Sequence, residues 1–295
     1  MQQRAFGQTG LSVSVLGLGA GQIGEAHQHE AEVGKLLNTA LDLGITLIDT
    51  ARGYGLSEER IGRHIAHRRS EYVLSTKVGY GVPGYSDWNY DCIIAGVDLA
   101  LRNMKTDVLD IVHLHSCPIQ TLTEQGVIEA LMKVREQGKI RVAAYSGEND
   151  ELAWAVNESA GKFGSVECSV NPFDQMSLAA ILPSAGIQGM GVIAKRALGN
   201  APWRFAARPH GNYCETYWTR MQAMAFDLGH MPWDEFALRF STFAPNVSSA
   251  IVGTSSIEHL RHNAALIEAG PLPVDMFDEL RSRFKQLGGD WRGEI

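Results

Sequence analysis

Short apolar runs rich in Val, Ile and Leu recur along the chain, separated by amphipathic stretches. Eight stand out: VSVLGLG ending at Gly19, ITLID at Asp49, YVLSTK at Lys77, LDIVHLH at His115, RVAAYSG at Gly147, VECSVN at Asn171, GVIAKR at Arg196 and SAIVGT at Thr254. Near-continuous apolar runs of this length are the pattern of parallel strands buried on both faces, whereas a half-solvated strand alternates. Between the runs, EAEVGKLLNTALDLG, DCIIAGVDLALRNM, GVIEALMKVREQGK and DELAWAVNESA space their apolar residues along one helical face. Several of these close on Gly, which takes the left-handed conformation of a helix stop at little cost.

Most strand-to-strand intervals are roughly 25 to 37 residues, the size of a βαβ unit. The stretch from 199 to 246 is the exception: helical patterns at 214–227 and 232–243 predict an extra helix in the seventh connection. One more helix is predicted from Val274 to about Leu287. No linker, tandem repeat or low-complexity segment divides the chain, so residues 1–295 read as one domain. Eight β/α units over about 250 residues make a (β/α)8 TIM barrel.

Composition narrows the partners. Hydrophobic residues at 45% and charged residues at 20% are ordinary for a globular chain. A net charge of −7 and a pI near 5.8 leave no basic footprint for nucleic acid or an anionic membrane, so a small molecule is the expected partner. The N-terminus lacks the pattern of a signal peptide and no run of 18 apolar residues occurs, which predicts a cytoplasmic location. Cys92, Cys117, Cys168 and Cys214 lie far apart with no CxxC pair, suiting reduced thiols better than a disulfide framework or a zinc site.

Catalytic residues of such barrels stand at the C-terminal ends of strands. Four reactive side chains are predicted there: Asp49, Tyr54 in the loop that follows it, Lys77 and His115. Taken singly, Asp49 reads as an N-cap, Tyr54 as a loop aromatic and Lys77 as a surface lysine; their placement at successive strand ends makes them a site. Ser57 with Glu58 and Glu59 marks the helix behind it. An ammonium beside a phenol favours the phenolate, lowering a reference pKa of about 10 by roughly 1 to 3 units. That suits proton donation to a carbonyl becoming an alkoxide. Asp49 is expected to pair with Lys77, and His115 to hydrogen-bond the substrate oxygen. No metal-ligand spacing links the four, and the missing reactant is a hydride donor.

The stretch DTARGYGLSEERIG resembles the DxAxxYGxSExxxG signature of the aldo-keto reductase superfamily, and FGQTGLSVSVLGLGAG resembles that family's opening. LSTKVG, DVLDIVHLHS and IVGTSSIEHLRHNAA match later landmarks in the same order, so the likeness spans nearly the whole chain. It implies a (β/α)8 barrel, a nicotinamide cofactor extended across the mouth, and Tyr54 as general acid in a tetrad with Asp49, Lys77 and His115. His115 matches the family's histidine, while His113, on the same side of the strand, is expected to fill an inner layer. GAGQIG at 19–24 is a literal GxGxxG with Asp49 at a ribose-binding distance, but a dinucleotide fold would leave Tyr54, Lys77 and His115 unexplained. On the barrel reading, Gly19 and Ala20 let backbone approach the nicotinamide.

The resemblance also implies cofactor contacts. Ser146 stands where the family holds the carboxamide, Gly147 where an asparagine usually follows, Val170 at the strand-six glutamine and Lys195 at the stacking aromatic. Asn149 or Asn171 are substitutes for the missing amides; Lys195 and Arg196, with Ala197 and Leu198, are expected toward the pyrophosphate. At the adenosine end stand Gly253, Thr254, Ser255, His259 and Asn263, with His259 where an arginine is often found and Arg261 facing elsewhere. A histidine grips a phosphate less well than a guanidinium fork, so NADP(H) is expected to be preferred by a narrowed margin that shrinks as pH rises, with NAD(H) possible. Tyr54, Trp88 and His115 are the expected substrate contacts. Tyr90 stands near Trp88, and Trp203, Tyr213, Tyr217 and Trp218 lie in the seventh connection. Cys117 is expected to be inert. The function implied is reduction of an aldehyde or ketone. Oxidation of a sugar or polyol stays open, as does a slow nucleotide-sensing protein like the family's channel-associated β subunits.

Overall fold

Eight of the ten strands close into a parallel barrel in the computed structural model, which describes residues 1–295. An antiparallel pair, β1 (Gln3–Ala5) and β2 (Ser12–Ser14), precedes it. The barrel strands are β3 (Leu16–Gly19), β4 (Leu47–Asp49), β5 (Val73–Val78), β6 (Leu109–His115), β7 (Ile140–Ser146), β8 (Ser165–Ser169), β9 (Gly191–Lys195) and β10 (Ser249–Gly253). Neighbours follow chain order, and β10 pairs with β3 to close the ring. This is the (β/α)8 architecture, with helices covering the outside.

The apolar run that begins at Val13 is divided rather than continuous. Its first part pairs with β1, and the chain then enters the barrel at Leu16. Phe6 and Val13 consequently plug the N-terminal end, packing with Leu47, Val73, Ile111, Val142, Ala144, Ile193 and Ile251. Gly191 makes room for that plug: a Cβ there would lie 2.5 Å from the Phe6 ring. Truncating a buried Phe of this kind costs about 3 to 5 kcal/mol. A larger cluster of 67 buried residues fills the space between strands and helices.

Because side chains alternate along a strand, β5 turns Val73, Ser75 and Lys77 inward, β6 turns Ile111, His113 and His115, and β8 turns Ser165, Glu167 and Ser169. The interior therefore passes from apolar at the plug, through small polar groups, to charged at the mouth.

The helices Glu215–Met224 and Trp233–Thr242 occupy the seventh connection, and Val274–Leu287 closes the chain's regular structure. A short helix, Ile119–Glu124, precedes Val127–Glu136 where the pattern predicts only one. Beyond Leu287 the chain returns to the mouth. Asn149 holds Gly293 through both amide atoms, Arg220 donates to the Arg292 carbonyl at 2.6 Å, and the Glu294 amide donates to Asp174 at 3.1 Å. All four cysteines are free and buried. No helix is long and apolar enough to cross a membrane.

Candidate active site

Asp49 ends β4 and Lys77 lies near the end of β5, the next strand in the ring. Lys77 Nζ donates to Asp49 Oδ2 at 2.5 Å and to the Thr50 carbonyl at 3.1 Å, while Ser75 Oγ donates to Asp49 Oδ1 at 2.8 Å. Both charged groups are 1% exposed. Tyr54 lies over this pair, with Lys77 Nζ 5.4 Å from its ring centroid. Its loop is held by close backbone approach: the Leu56 amide donates to the Gly24 carbonyl, and a Cβ on Gly24 would fall 1.7 Å from the Tyr54 carbonyl oxygen. Gly24 thus serves the Tyr54 loop. The chain at Gln22–Gly24 is a 3-10 turn rather than a helix opening onto a dinucleotide, and Asp49 is spent on Lys77. Ser57 fixes the same loop, donating to the Ala20 carbonyl at 2.7 Å, instead of capping its helix; Glu58 is buried against Arg52 at 2.7 Å.

A second carboxylate enters the site. Glu167, turned inward from β8, places Oε2 3.3 Å from Lys77 Nζ and 4.0 Å from His113 Nε2. Asp49, His113 and Glu167 bring ligand-type atoms together, but both carboxylates already face the Lys77 ammonium. Burial works against that ammonium, yet the two carboxylates more than reverse this and keep Lys77 charged. Burial and mutual repulsion oppose ionising both acids, so the pair gives up its second proton above the ordinary carboxylate range. The expected lowering of the Tyr54 pKa is corrected by this arrangement. Lys77 does pull the phenol down, but burial, Asp49 and Glu167 together push further, and Tyr54 is raised to about 12.

His115 is half-buried at the end of β6, edge-on to Tyr54 with ring centroids 6.0 Å apart. Burial and then Lys77 lower its pKa to about 3, so the ring is neutral. Tyr80 Oη lies 2.9 Å from its Nδ1, and the two rings stack at 5.4 Å. Trp88, expected against substrate, does not line the cavity. It packs behind Tyr80 at 5.8 Å, and Tyr80 takes the cavity wall. Tyr90 is exposed at a helix start. His113 is fully buried two residues below His115, with Nδ1 3.4 Å from both Ser75 Oγ and the Thr76 carbonyl.

These groups open into a cavity of about 960 Å³ at the barrel mouth. Gly19, Ser146, Lys195, Arg196, Ala197 and Leu198 line one part, and Gly253, Thr254, His259 and Asn263 another. Ala20, Gly147 and Ser255 lie beside the cavity without lining it. Ser146 Oγ is buried in the wall with no partner in the chain, which fits a carboxamide approaching it. Neither proposed substitute amide reaches that contact. Asn149 is committed to Gly293, and Asn171, whose Oδ1 accepts from the Phe173 amide while its Nδ2 is buried without a partner, lies outside the cavity lining. Val170 is buried outside the cavity. Lys195 faces Glu148 at 3.3 Å, and Arg196 is tied to Ser169, the Glu294 carbonyl and Tyr213, so both cations expected at the pyrophosphate already have partners. Trp203 and Tyr213 reach the cavity from the seventh connection, whereas Tyr217 and Trp218 do not.

Residues 15–283 match the family model described as the Aldo/keto reductase family. The chain belongs to the aldo/keto reductase family. It is 26% identical to L-galactose dehydrogenase of Arabidopsis thaliana, over 93% of this chain and 91% of that protein. It is also 26% identical to D-threo-aldose 1-dehydrogenase of a Pseudomonas species, over 94% and 95% of the two chains. The holo form of an aldo-keto reductase from Bacillus halodurans shares its fold, with a TM-score of 0.84 over 96% of each chain at 24% identity. Within this family member, the signature motif marks neither Glu167 nor Tyr80. An acid between Val166 and Cys168 in an apolar run is the one trace Glu167 leaves in the sequence.

Proposed function

We propose that this aldo/keto reductase reduces an aldehyde or ketone to an alcohol, hydride passing from a bound nicotinamide to the carbonyl carbon and a proton from Tyr54 to the oxygen. The observation that supports this best is the convergence of Tyr54, the Asp49–Lys77 ion pair and neutral His115 on one cavity. Tyr54 carries the proton that the nascent alkoxide takes, an alkoxide being a far stronger base than a phenolate. Lys77, kept charged by its carboxylates, then stabilises the phenolate left behind. Asp49 holds Lys77 in place through a bond that Ser75 orients. His115 donates a neutral hydrogen bond to the substrate oxygen and fixes its distance from Tyr54.

Ser146 is assigned to the carboxamide of the cofactor, Gly19 to the approach of its ring, Ala197 and Leu198 to the middle, and Thr254, His259 and Asn263 to the adenosine end. On these residues we assign a preference for NADP(H), narrower than an arginine would give, with NAD(H) also accepted. The substrate is a small carbonyl compound of the cytoplasm.

Oxidation of a sugar or polyol is the second reading, favoured by the two relatives named as dehydrogenases of L-galactose and D-threo-aldoses. Aldehydes, ketones and sugars assayed by nicotinamide absorbance in both directions separate the two. Tyr54→Phe should keep cofactor affinity while turnover falls by about 10²- to 10⁴-fold, the loss typical of a missing general acid. Near-normal turnover in that variant would remove Tyr54 from its role. Tight nucleotide binding with no turnover on any compound would favour a nucleotide-sensing barrel instead.

A further inference from the structure

We infer that Glu167 is a positioning residue for this reaction: acting through Lys77, it keeps the Tyr54 hydroxyl protonated and so biases the site toward reduction. The inference rests on the reading of Tyr54 as the proton donor.

Glu167 stands on β8, four strands around the ring from Asp49 on β4, so the two acids reach the Lys77 ammonium from opposite walls. One cation therefore faces two acids, and once both have ionised the interior holds a surplus negative charge beside the tyrosine. The groups facing Glu167 do not cancel it. Asp49 on β4 adds to the charge, and Lys77 on β5 is shared. His113 and His115 on β6 are held neutral, and Lys195 on β9 faces Glu148.

A purely structural role explains the residue poorly. Glu167 is 1% exposed, yet its Oε2 accepts no hydrogen bond. Burying a carboxylate without such bonds is costly, and an apolar side chain of similar volume would serve packing better. Its effect on Tyr54 is specific. The phenol ionises only after both acids have done so, so its proton leaves against a net negative neighbourhood. The upward shift of Tyr54 agrees with this geometry.

The consequence concerns direction. In reduction the proton moves from Tyr54 Oη to the substrate oxygen, the Oη–H bond breaking as the new O–H bond forms, and the phenolate regains a proton from water in the cavity. A tyrosine that holds its proton tightly is reloaded across the neutral and alkaline range. In oxidation Tyr54 must first be a phenolate to accept the alcohol proton, and the surplus charge opposes that state.

Glu167→Gln tests this on the whole chain by two measurements. Near-ultraviolet titration reads tyrosinate formation without substrate, with Tyr54→Phe in the same background assigning the Tyr54 step. The pH profile of kcat/KM for a carbonyl substrate reads the donor at work. Removing the charge should move the Tyr54 step and the alkaline limb of reduction toward neutrality by about one pH unit or more, and raise alcohol oxidation at neutral pH by about tenfold, one unit being a factor of ten in phenolate population. Glu167→Asp should return the limb toward the wild-type position. A Tyr54 step and limb that stay in place in folded Glu167→Gln, while Tyr54→Phe is inactive, overturn this inference alone. Normal reduction by Tyr54→Phe overturns the donor assignment beneath it. Glu167→Ala, which leaves room for water, carries the same expectation if the amide variant does not fold. Failure of both to fold would make Glu167 a fold determinant and end the proposal.

Discussion

The Tyr80 hydroxyl lies 2.9 Å from Nδ1 of His115, with the two rings stacked at a centroid distance of 5.4 Å. Burial raises the Tyr80 pKa and lowers that of His115, so both groups are neutral, and in the tautomer that the proposed role of His115 requires Tyr80 Oη donates to Nδ1. The imidazole's own proton is then confined to Nε2, the nitrogen left to donate to a substrate oxygen. Trp88 backs the stack.

Tyr80→Phe keeps the stacking and deletes this tautomer lock. Its kcat/KM for carbonyl reduction should fall by about fivefold to tenfold, the worth of one hydrogen bond, with no change in cofactor dissociation constant. Unchanged kcat/KM would show that the tautomer is set by another contact.

The two histidines should separate by phenotype. His113 is fully buried against Ser75 and Thr76, so His113→Ala should open a small cavity and lower stability by about 1 to 3 kcal/mol in thermal or denaturant unfolding. His115 is half-buried at the cavity, and His115→Ala should cost turnover by about 10²-fold with little change in unfolding midpoint. The opposite pattern would move the catalytic layer one step down the barrel.

The buried histidines should also lose their contribution to stability with acid in a defined window. Burial lowers His113 to about 4 and His115 to about 3, from an ordinary 6.5 in the unfolded chain. Between those values the unfolded state binds protons that the two folded histidines refuse, so their contribution to stability is full above pH 6.5 and declines as pH falls toward 4, against the opposite trend of Asp49 and Asp174, whose carboxyls burial raises to about 7. Unfolding midpoints measured across that range should fall more steeply with acid, or rise less, in the wild type than in His113→Asn. A slope unchanged in that variant would mean that other groups carry the acid sensitivity.

The barrel was legible because its strands are apolar runs that end in chemistry: β4 stops at Asp49 and β6 at His115, as the pattern predicts. β8 stops at Ser169 instead of Asn171 because Asn171 turns back to bridge Asp174. The break at Val15 was hidden, since an apolar run looks alike whether it enters a barrel or first folds across its end. Tyr54 shows a deeper limit. The motif places a cation beside it, but its proton affinity depends on every charge nearby, and Glu167 comes from a strand 113 residues further along the chain. Spacing finds local partners more readily than groups that meet across a closed ring.

Cofactor preference should turn on a pair of residues at the far end of the cavity. His259, His262 and Asn263 line it from the helix Ile257–Glu268, and Asp234 from Trp233–Thr242. Asp234 Oδ2 lies 2.7 Å from His262 Nε2. Arg261 lies outside the lining, whereas Arg204, beside Trp203 in the seventh connection, lines it together with the histidines. Asp234 is a carboxylate at the cavity wall that repels a phosphate but can accept a ribose hydroxyl, and the contact with His262 offsets part of its charge. Asp234→Asn removes the repulsion, so NADPH affinity should rise by about fivefold to tenfold, a charge-assisted contact being worth roughly 1 to 1.4 kcal/mol, while NADH affinity stays level or weakens. Dissociation constants for both nucleotides, read by nucleotide fluorescence in wild type and variant, decide the matter. An NADPH affinity unchanged in Asp234→Asn would place the 2′-phosphate away from Asp234, and tighter NADH binding in the wild type would reverse the cofactor assignment.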